Sequence, residues 1–250
     1  MKVKFLGVHT IEAVQARIPC ILVDGVLALD AGSLSSLSAT EQLGINAILL
    51  THQHYDHLRD IPIFGMTLRL NNASVTVYGP IEVQNILIKH LLNGVFYPRF
   101  LETSVIAYHP ITPGQSFSIN DYSIMPVAMR HSVPTVGYEI RASGRSLFYS
   151  SDTGPGLDNI WEHIQPDIIV MEVTAPNCQA DFGRKAGHLT PILLKDELSN
   201  FQKLKGYIPL VYTVHMNPFT EDTIRSELSE VAHSLNCHII PAHEGLEIDV

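Results

Sequence analysis

Cysteine is scarce in this chain. Cys20, Cys178 and Cys237 are the only three in 250 residues, an odd and scattered set that supports neither a disulfide framework nor a thiolate metal site. Cys20 and Cys237 stand in strand-like surroundings and are expected to behave as buried apolar side chains. No apolar run reaches about 18 residues, so no membrane-spanning helix is expected. Met1–Leu6 alternates like a strand instead of reading as a charged and then apolar leader, and a cytoplasmic protein is the expectation. Positive charge is thin: 16 Lys and Arg face 25 Asp and Glu, a net charge of −9. A long nucleic acid needs cations spread over an extended surface; with no basic block here, extended nucleic acid is not an expected partner. Low-complexity tracts, linkers and repeats are missing too. With 46% hydrophobic residues, one domain spanning residues 1–250 can bury a substantial core.

Histidine, by contrast, is plentiful, with 13 copies. His52-Gln53-His54-Tyr55-Asp56-His57 sets four strong metal ligands close together, directly after the apolar run Asn46–Leu50. Residues that leave a strand end in a tight turn can aim their side chains at different points, His52 and His54 at one metal, Asp56 and His57 at a second. Metals so placed, roughly 3.5–4 Å apart, share a water whose pKa they depress, which makes a nucleophile at neutral pH. The stretch therefore reads as the core of a two-metal hydrolase site.

This His-x-His-x-Asp-His pattern resembles the signature of the metallo-β-lactamase superfamily, and the resemblance extends over nearly the whole chain. It implies three further ligands in chain order: a His after a midway strand, a bridging Asp after a later strand and a last His near the C-terminus. His131 follows the strand-like Tyr122–Met129, Asp152 follows Ser146–Ser150, and His243 follows His238–Ile240. On that pattern one metal takes His52, His54 and His131, the other Asp56, His57 and His243, and Asp152 bridges them. The implied cofactors are two divalent metal ions. A three-imidazole site beside a mixed site suits Zn2+, while Mn2+ and Fe2+ accept the same ligands. Asp30 matches a superfamily position that supports the metal loop, and serves either as a hydrogen-bond partner of a ligand His or as a turn former. Asp60 stands where the family usually has Gly, so the expectation is a changed helix start with Arg59 and Asp60 paired locally.

Three later motifs narrow the resemblance. Met171-Glu172-Val173-Thr174, Gly187-His188-Leu189-Thr190-Pro191 and Val214-His215-Met216-Asn217-Pro218 resemble the phosphodiesterase branch, which includes tRNA 3′-end endonucleases and class II cyclic-nucleotide phosphodiesterases. The His-Leu-Thr-Pro form is closer to the latter. Thr190 is also a fitting N-cap with Pro191 at the first helical position, which would set His188 just ahead of a helix N-terminus, where anions bind. The implied function is hydrolysis of small phosphodiesters such as 3′,5′-cyclic nucleotides, with Asp56 orienting the nucleophile and His188 binding the phosphate or protonating the leaving oxygen. The acidic balance does not oppose an anionic substrate, because two divalent cations outweigh Asp56 and Asp152 locally. The partner is then a small-molecule phosphodiester, with no membrane and with a homodimer left open. Three other readings remain: an endoribonuclease of the tRNA-processing type, although no long Gly/Pro-rich arm of that kind is present; a lactone or thioester hydrolase on the same cage; and a metal- or nucleotide-binding sensor.

Periodicity places strands at Lys2–Val8, Ile21–Val23, Val26–Leu29, Asn46–Leu50, Ser74–Tyr78, Ser104–Tyr108, Gly137–Ile140, Ile168–Met171 and Pro209–Val214. Helices are expected at His57–Leu70, Ile81–Leu92 stopped by Gly94, Pro191–Leu204, and Glu221–Leu235 capped by Thr220. Short strands outnumber helices, so the class is α+β, and the resemblance implies an αββα sandwich of two mixed β-sheets with helices on the outer faces. His9, Glu172 and His215 end strands and either face the site or serve the fold. Arg99, in the aromatic segment Leu91–Phe100, either forks a phosphate beside a stacked base or belongs to a segment that covers the core. Asp181–Lys185 either brings two cations to the substrate or is a solvated loop. His90, His163, His233 and His238 read as surface or packing residues.

Overall fold

The computed structural model describes residues 1–250. Six strands, β1 (Lys2–Gly7), β2 (Cys20–Val23), β3 (Leu27–Leu29), β4 (Ala47–Leu49), β5 (Val75–Gly79) and β6 (Ile106–Pro110), lie side by side in chain order. The second sheet is likewise sequential, with β7 (Phe117–Ile119), β8 (Tyr122–Met129), β9 (Thr135–Ala142), β10 (Arg145–Tyr149), β11 (Ile168–Glu172), β12 (Leu210–Val214) and β13 (Ile239–Pro241). β14 (Glu247–Asp249) then returns to the first sheet and pairs antiparallel with β1. Each sheet has seven strands.

The strands read as near-continuous apolar runs because both faces of each sheet are covered. Alternate side chains divide between layers. Ile21 and Val23 of β2 point between the sheets, where they meet Leu147, Tyr149, Ile168, Val170 and Tyr212 of the second sheet. Cys20 and Leu22 point the other way, into a layer closed by Ile61, Phe64 and Leu68 of a helix. Phe148, Ile169 and Val211 face a third layer with Trp161, Leu194, Leu198, Phe201 and Leu228. The helices are α1 (Ala39–Leu43), α2 (Tyr55–Leu58), α3 (Ile61–Leu70), α4 (Ile81–Ile86), α5 (Asp158–Trp161), α6 (Ala180–Ala186), α7 (Pro191–Lys205) and α8 (Glu221–Leu235). α3 and α4 pack on the first sheet, and α5, α7 and α8 on the second, which gives the αββα sandwich.

Local chemistry explains the departures from the expected elements. The helix expected over 57–70 is two helices, α2 and α3, parted at Arg59 and Asp60. Arg59 Nε donates to Asp60 Oδ1 at 2.8 Å, the local pairing expected, while Asp60 Oδ2 accepts the Ser35 backbone N–H at 2.7 Å. The helix expected over 81–92 begins as α4 and ends in a π-helical turn at Leu87–Leu91, before Gly94 takes a left-handed φ of 82°. Thr190 and Thr220 do precede α7 and α8, but neither side chain makes a capping hydrogen bond.

The topology gathers chain ends at one rim. β3 and β4 run parallel, as do β10, β11 and β12. β1 is two antiparallel steps from β3, and β8 two from β10, so they share those directions. The C-terminal ends of these strands present His9, Asp30, His52, His131, Asp152, Glu172 and His215 along that rim. Backbone and side chain tie the sheets together there: Val136 N–H donates to Thr51 O at 3.1 Å and Tyr138 Oη to Leu50 O at 2.7 Å.

Gly32 sits where two segments of this rim press together, and a Cβ there would overlap the carbonyl oxygens of Asp56 and Pro19. Gly32→Ala is expected to destabilise the fold by about 1–3 kcal/mol, seen as a lowered melting temperature in thermal denaturation. A melting temperature equal to wild type would show that the segments part without cost.

Candidate metal centre

Asp30 is the foundation of the rim. Its carboxylate is fully buried and accepts Thr51 N–H at 2.9 Å, Thr51 Oγ1 at 2.9 Å, His57 Nδ1 at 2.7 Å and Tyr149 Oη at 2.9 Å. A buried carboxylate is tolerable only when its oxygens are satisfied in this way. The consequence is orientational. Because Asp30 takes the His57 Nδ1 proton, His57 Nε2 is left to face the site. Thr51 Oγ1 gives its proton to Asp30 and lies 3.0 Å from His52 Nδ1, whose proton it accepts, so His52 Nε2 is turned inward in the same way.

Two groups of donors result. His52, His54, His131 and Asp152 form one, and Asp56, His57 and His215 the other. Asp152 divides its oxygens between them. Oδ2 stands 3.7 Å from His52 Nε2 and 3.8 Å from His131 Nε2, while Oδ1 stands 3.3 Å from His57 Nε2 and 3.5 Å from His215 Nε2. His131 Nε2 and His54 Nδ1 are 3.1 Å apart. Two nitrogens bound tetrahedrally to one Zn2+ at ~2.0–2.1 Å would be about 3.3 Å apart.

The donors bear the mark of a missing partner. His52 Nε2, His57 Nε2 and Asp152 Oδ1 are buried with no hydrogen-bond partner, a condition that costs roughly 1–3 kcal/mol per group unless something else binds it. Imidazole nitrogen with carboxylate oxygen is the donor set of Zn2+, Mn2+ or Fe2+, so these residues fit divalent ions.

The charges agree. Burial and the neighbouring imidazoles push the His52 pKa well below its ordinary value, which keeps its lone pair free. Burial works to lower the His57 pKa as well, but Asp152 and Asp30 raise it well above the ordinary value. Burial disfavours the ionised Asp152, yet His215, His57 and His52 hold its carboxyl well below the usual carboxylate range.

A second layer stands beside this cluster. Glu172, the last residue of β11, is fully buried and lies 2.8 Å from His188 Nδ1 through Oε1, which also accepts Thr153 N–H at 3.0 Å. Thr174 Oγ1 donates to Glu172 Oε2 at 2.8 Å and lies 2.8 Å from His215 Nδ1. The His188 ring stacks on that of His215, with centroids 5.4 Å apart. A ring nitrogen of His188 also lies within 4.8 Å of the donors of Asp152 and His215. Burial lowers the His188 pKa, but the charge and hydrogen bond of Glu172 overcome it and push it up to about 9.

The structure places three of the expected site residues differently from the sequence reading. His243 is not in the cluster. Its neighbour Ala242 is buried, the following side chain points to the opposite face, and His243 is exposed with Nδ1 turned to Glu244 O at 3.1 Å. His215, expected only as a supporting residue, stands instead with Asp56 and His57, just after β12 with a left-handed φ of 63°. Arg99 stays in its own loop, where Nε donates to Asn93 O at 3.1 Å and Nη1 to Glu102 Oε1 at 3.2 Å. His9 is turned to Glu244 at 2.6 Å and Glu221 at 3.1 Å. Thr51 and Tyr149 were not foreseen, and Thr174 was quoted only within the Met171–Thr174 motif. The one sequence signal for them is position, since each adjoins a strand end that carries a site residue.

The family model of the β-lactamase superfamily domain matches residues 20–216. Among curated proteins, the Ribonuclease Z of Acaryochloris marina is 29% identical over 115 residues, which is 43% of this chain and 34% of that protein. This chain thus spans about a third of that relative's length. Among solved structures, unliganded yeast PDE1 superposes with a TM-score of 0.87 at 17% identity, covering 100% of this chain and 99% of that one. Human tRNase Z, short form, superposes at 0.71 and 17% identity, over 100% and 99%. Both are likenesses of fold.

The division of donors leads to a test by elemental analysis. Asp152→Ala is expected to lower occupancy at both places, His215→Ala to empty mainly one, and His243→Ala to leave both filled. Loss of metal in His243→Ala with full occupancy in His215→Ala would reverse the assignment.

Proposed function

The chain belongs to the β-lactamase superfamily, and on that premise we propose that it is a dinuclear metal-dependent phosphodiesterase acting on small phosphodiesters such as 3′,5′-cyclic nucleotides. The observation that carries the reading is the His188–Glu172 pair set against the ligand cluster. A phosphodiester with an alkoxide leaving group needs a proton on the departing oxygen as well as an activated nucleophile, and this rim supports both. Bound in the cluster, two divalent ions, Zn2+ in our reading, supply Lewis-acid activation of water and neutralise charge on the phosphoryl oxygens.

The chain's own residues do the rest. Asp152 spans the two donor groups. Asp56, with 28% of its side chain exposed, is the open carboxylate that orients the attacking water. Glu172 holds His188 by Nδ1, leaving Nε2 to bind the phosphate or to hand its proton to the leaving oxygen. His52 and His57 are fully buried, which shields their side of the cluster from water. We place the enzyme in the cytoplasm as a single domain over residues 1–250, and no helix is long and apolar enough to cross a membrane.

Similarity to Ribonuclease Z favours a second reading, an endoribonuclease. A net charge of −9 with 16 Lys and Arg weighs against it, because an extended RNA surface must neutralise many phosphates. Small diesters are expected to be cleaved more efficiently than tRNA precursors, with shallow salt dependence. Efficient precursor cutting that falls steeply with salt would decide for the endoribonuclease.

His188→Ala is expected to keep both metals and lose roughly 10²–10⁴ in kcat on a cyclic nucleotide. On bis(p-nitrophenyl) phosphate, whose p-nitrophenolate leaves unprotonated, the loss should be much smaller. Equal losses would assign His188 to phosphate positioning, and unchanged rates would remove it from the reaction.

A further inference from the structure

Directly behind His131 lies a cavity of about 380 Å³ whose lining includes Arg130, Arg184 and Lys185 and contains no carboxylate. That is unexpected in a chain with a net charge of −9. Arg59, Arg99, Arg141, Arg145 and Arg225 all pair with Asp or Glu, whereas Arg130, Arg184 and Lys185 make no ion pair and stand exposed. Three unpaired cations around one concavity form a local positive potential.

The cavity is built into the fold. Its floor is open because Gly154 and Gly187 have no side chains; Gly187 has a left-handed φ of 78°, and a Cβ there would crowd His131. The Arg130 main chain is fixed by its N–H to Thr153 Oγ1 at 3.2 Å and its carbonyl to Gly154 N–H at 2.5 Å. The wall that follows is held by Glu197, which is 3% exposed and whose oxygens accept Gly156 N–H at 2.6 Å, Leu157 N–H at 3.1 Å and Trp161 Nε1–H at 3.1 Å. The cavity also adjoins the candidate metal centre. His131 Nδ1 donates to Gly187 O at 2.8 Å on the cavity side, and His131 Nε2 faces the cluster. On its far side, Met129 and Arg130 also line an apolar cavity of about 650 Å³ with Met125, Val127 and Ile160.

We propose that the cavity behind His131 binds a second anionic group of the substrate, a phosphate carried on the same molecule as the scissile phosphodiester. This rests on the phosphodiesterase reading. Arg130 and Arg184 provide forked N–H donors and Lys185 a point charge, the complement of a phosphate dianion. The apolar cavity beyond Arg130 takes the ring or chain that carries it, against thioether side chains that adapt to varied shapes. Substrates with one phosphate use the cluster alone, and substrates with two bridge both places.

The test uses a matched pair, thymidine 3′-(p-nitrophenyl phosphate) with and without a 5′-phosphate, turned over by the metal-loaded protein. Wild type is expected to favour the 5′-phosphorylated member about tenfold or more in kcat/KM, mainly through KM. The preference should fall to near parity in Arg184→Ala/Lys185→Ala and in Arg130→Ala, and return in part in Arg184→Lys. Equal kcat/KM in wild type, or a preference that survives in these variants, overturns the proposal. Calorimetry with thymidine 3′,5′-bisphosphate against thymidine 3′-monophosphate reads the cavity without turnover. Tighter bisphosphate binding in wild type alone, with neither diester cleaved, would keep the cavity and remove the hydrolytic reading. Cleavage with no bisphosphate preference would do the reverse.

Discussion

One buried carboxylate sets the geometry of the whole rim. Asp30 draws together the turn after β3, the end of β4, helix α2 and the end of β10 through Thr51, His57 and Tyr149. Its own backbone takes a left-handed φ of 59° to do so, a conformation that costs most side chains energy and persists only where surrounding contacts over-determine it. Ser151 and His215 have the same backbone sign, at 55° and 63°. The strand exits at the rim are therefore bent into uncommon conformations and pinned there, which points imidazoles inward that an ordinary turn would turn to water.

How much of this was legible follows from how local each signal is. His52, His54, Asp56 and His57 fall in one short turn, so spacing alone brings them together. His131 and Asp152 were implied by the family resemblance, which says that such ligands follow strands. The choice between His215 and His243 was not readable, because both follow strands and only the facing of Ala242 and the bend at His215 decide which turns inward. Thr51 and Thr174 just past strand ends, and Tyr149 at one, are unremarkable until tertiary packing brings Asp30 and Glu172 to them. The two-sheet sandwich was implied by resemblance, and period-2 runs marked many of the strands. The return of β14 to β1 carries no local signal, whereas the Arg59–Asp60 pair at the break between α2 and α3 was expected from the sequence as a changed helix start.

Net charge is a poor guide to what such a molecule attracts. The acidic excess lies over the surface as a whole, while Arg130, Arg184 and Lys185 cluster beside His131. Close-range fields outweigh distant ones once salt screens beyond roughly 8 Å, so a small anion that reaches the rim meets cations there. A long polyanion must also lie along the acidic remainder. On the reading proposed above, that charge distribution favours a small anion over a long polyanion.

The donors that meet at the rim are drawn from positions as far apart as His52 and His215, in two different sheets. Contacts between segments so distant along the chain form slowly during folding, because loop closure has to precede them. The local stretch His52–His57 cannot by itself encircle an ion with the full donor set. A cation that requires both groups is therefore captured only after the sheets have docked, and its retention would report that the nascent chain has reached its final tertiary arrangement.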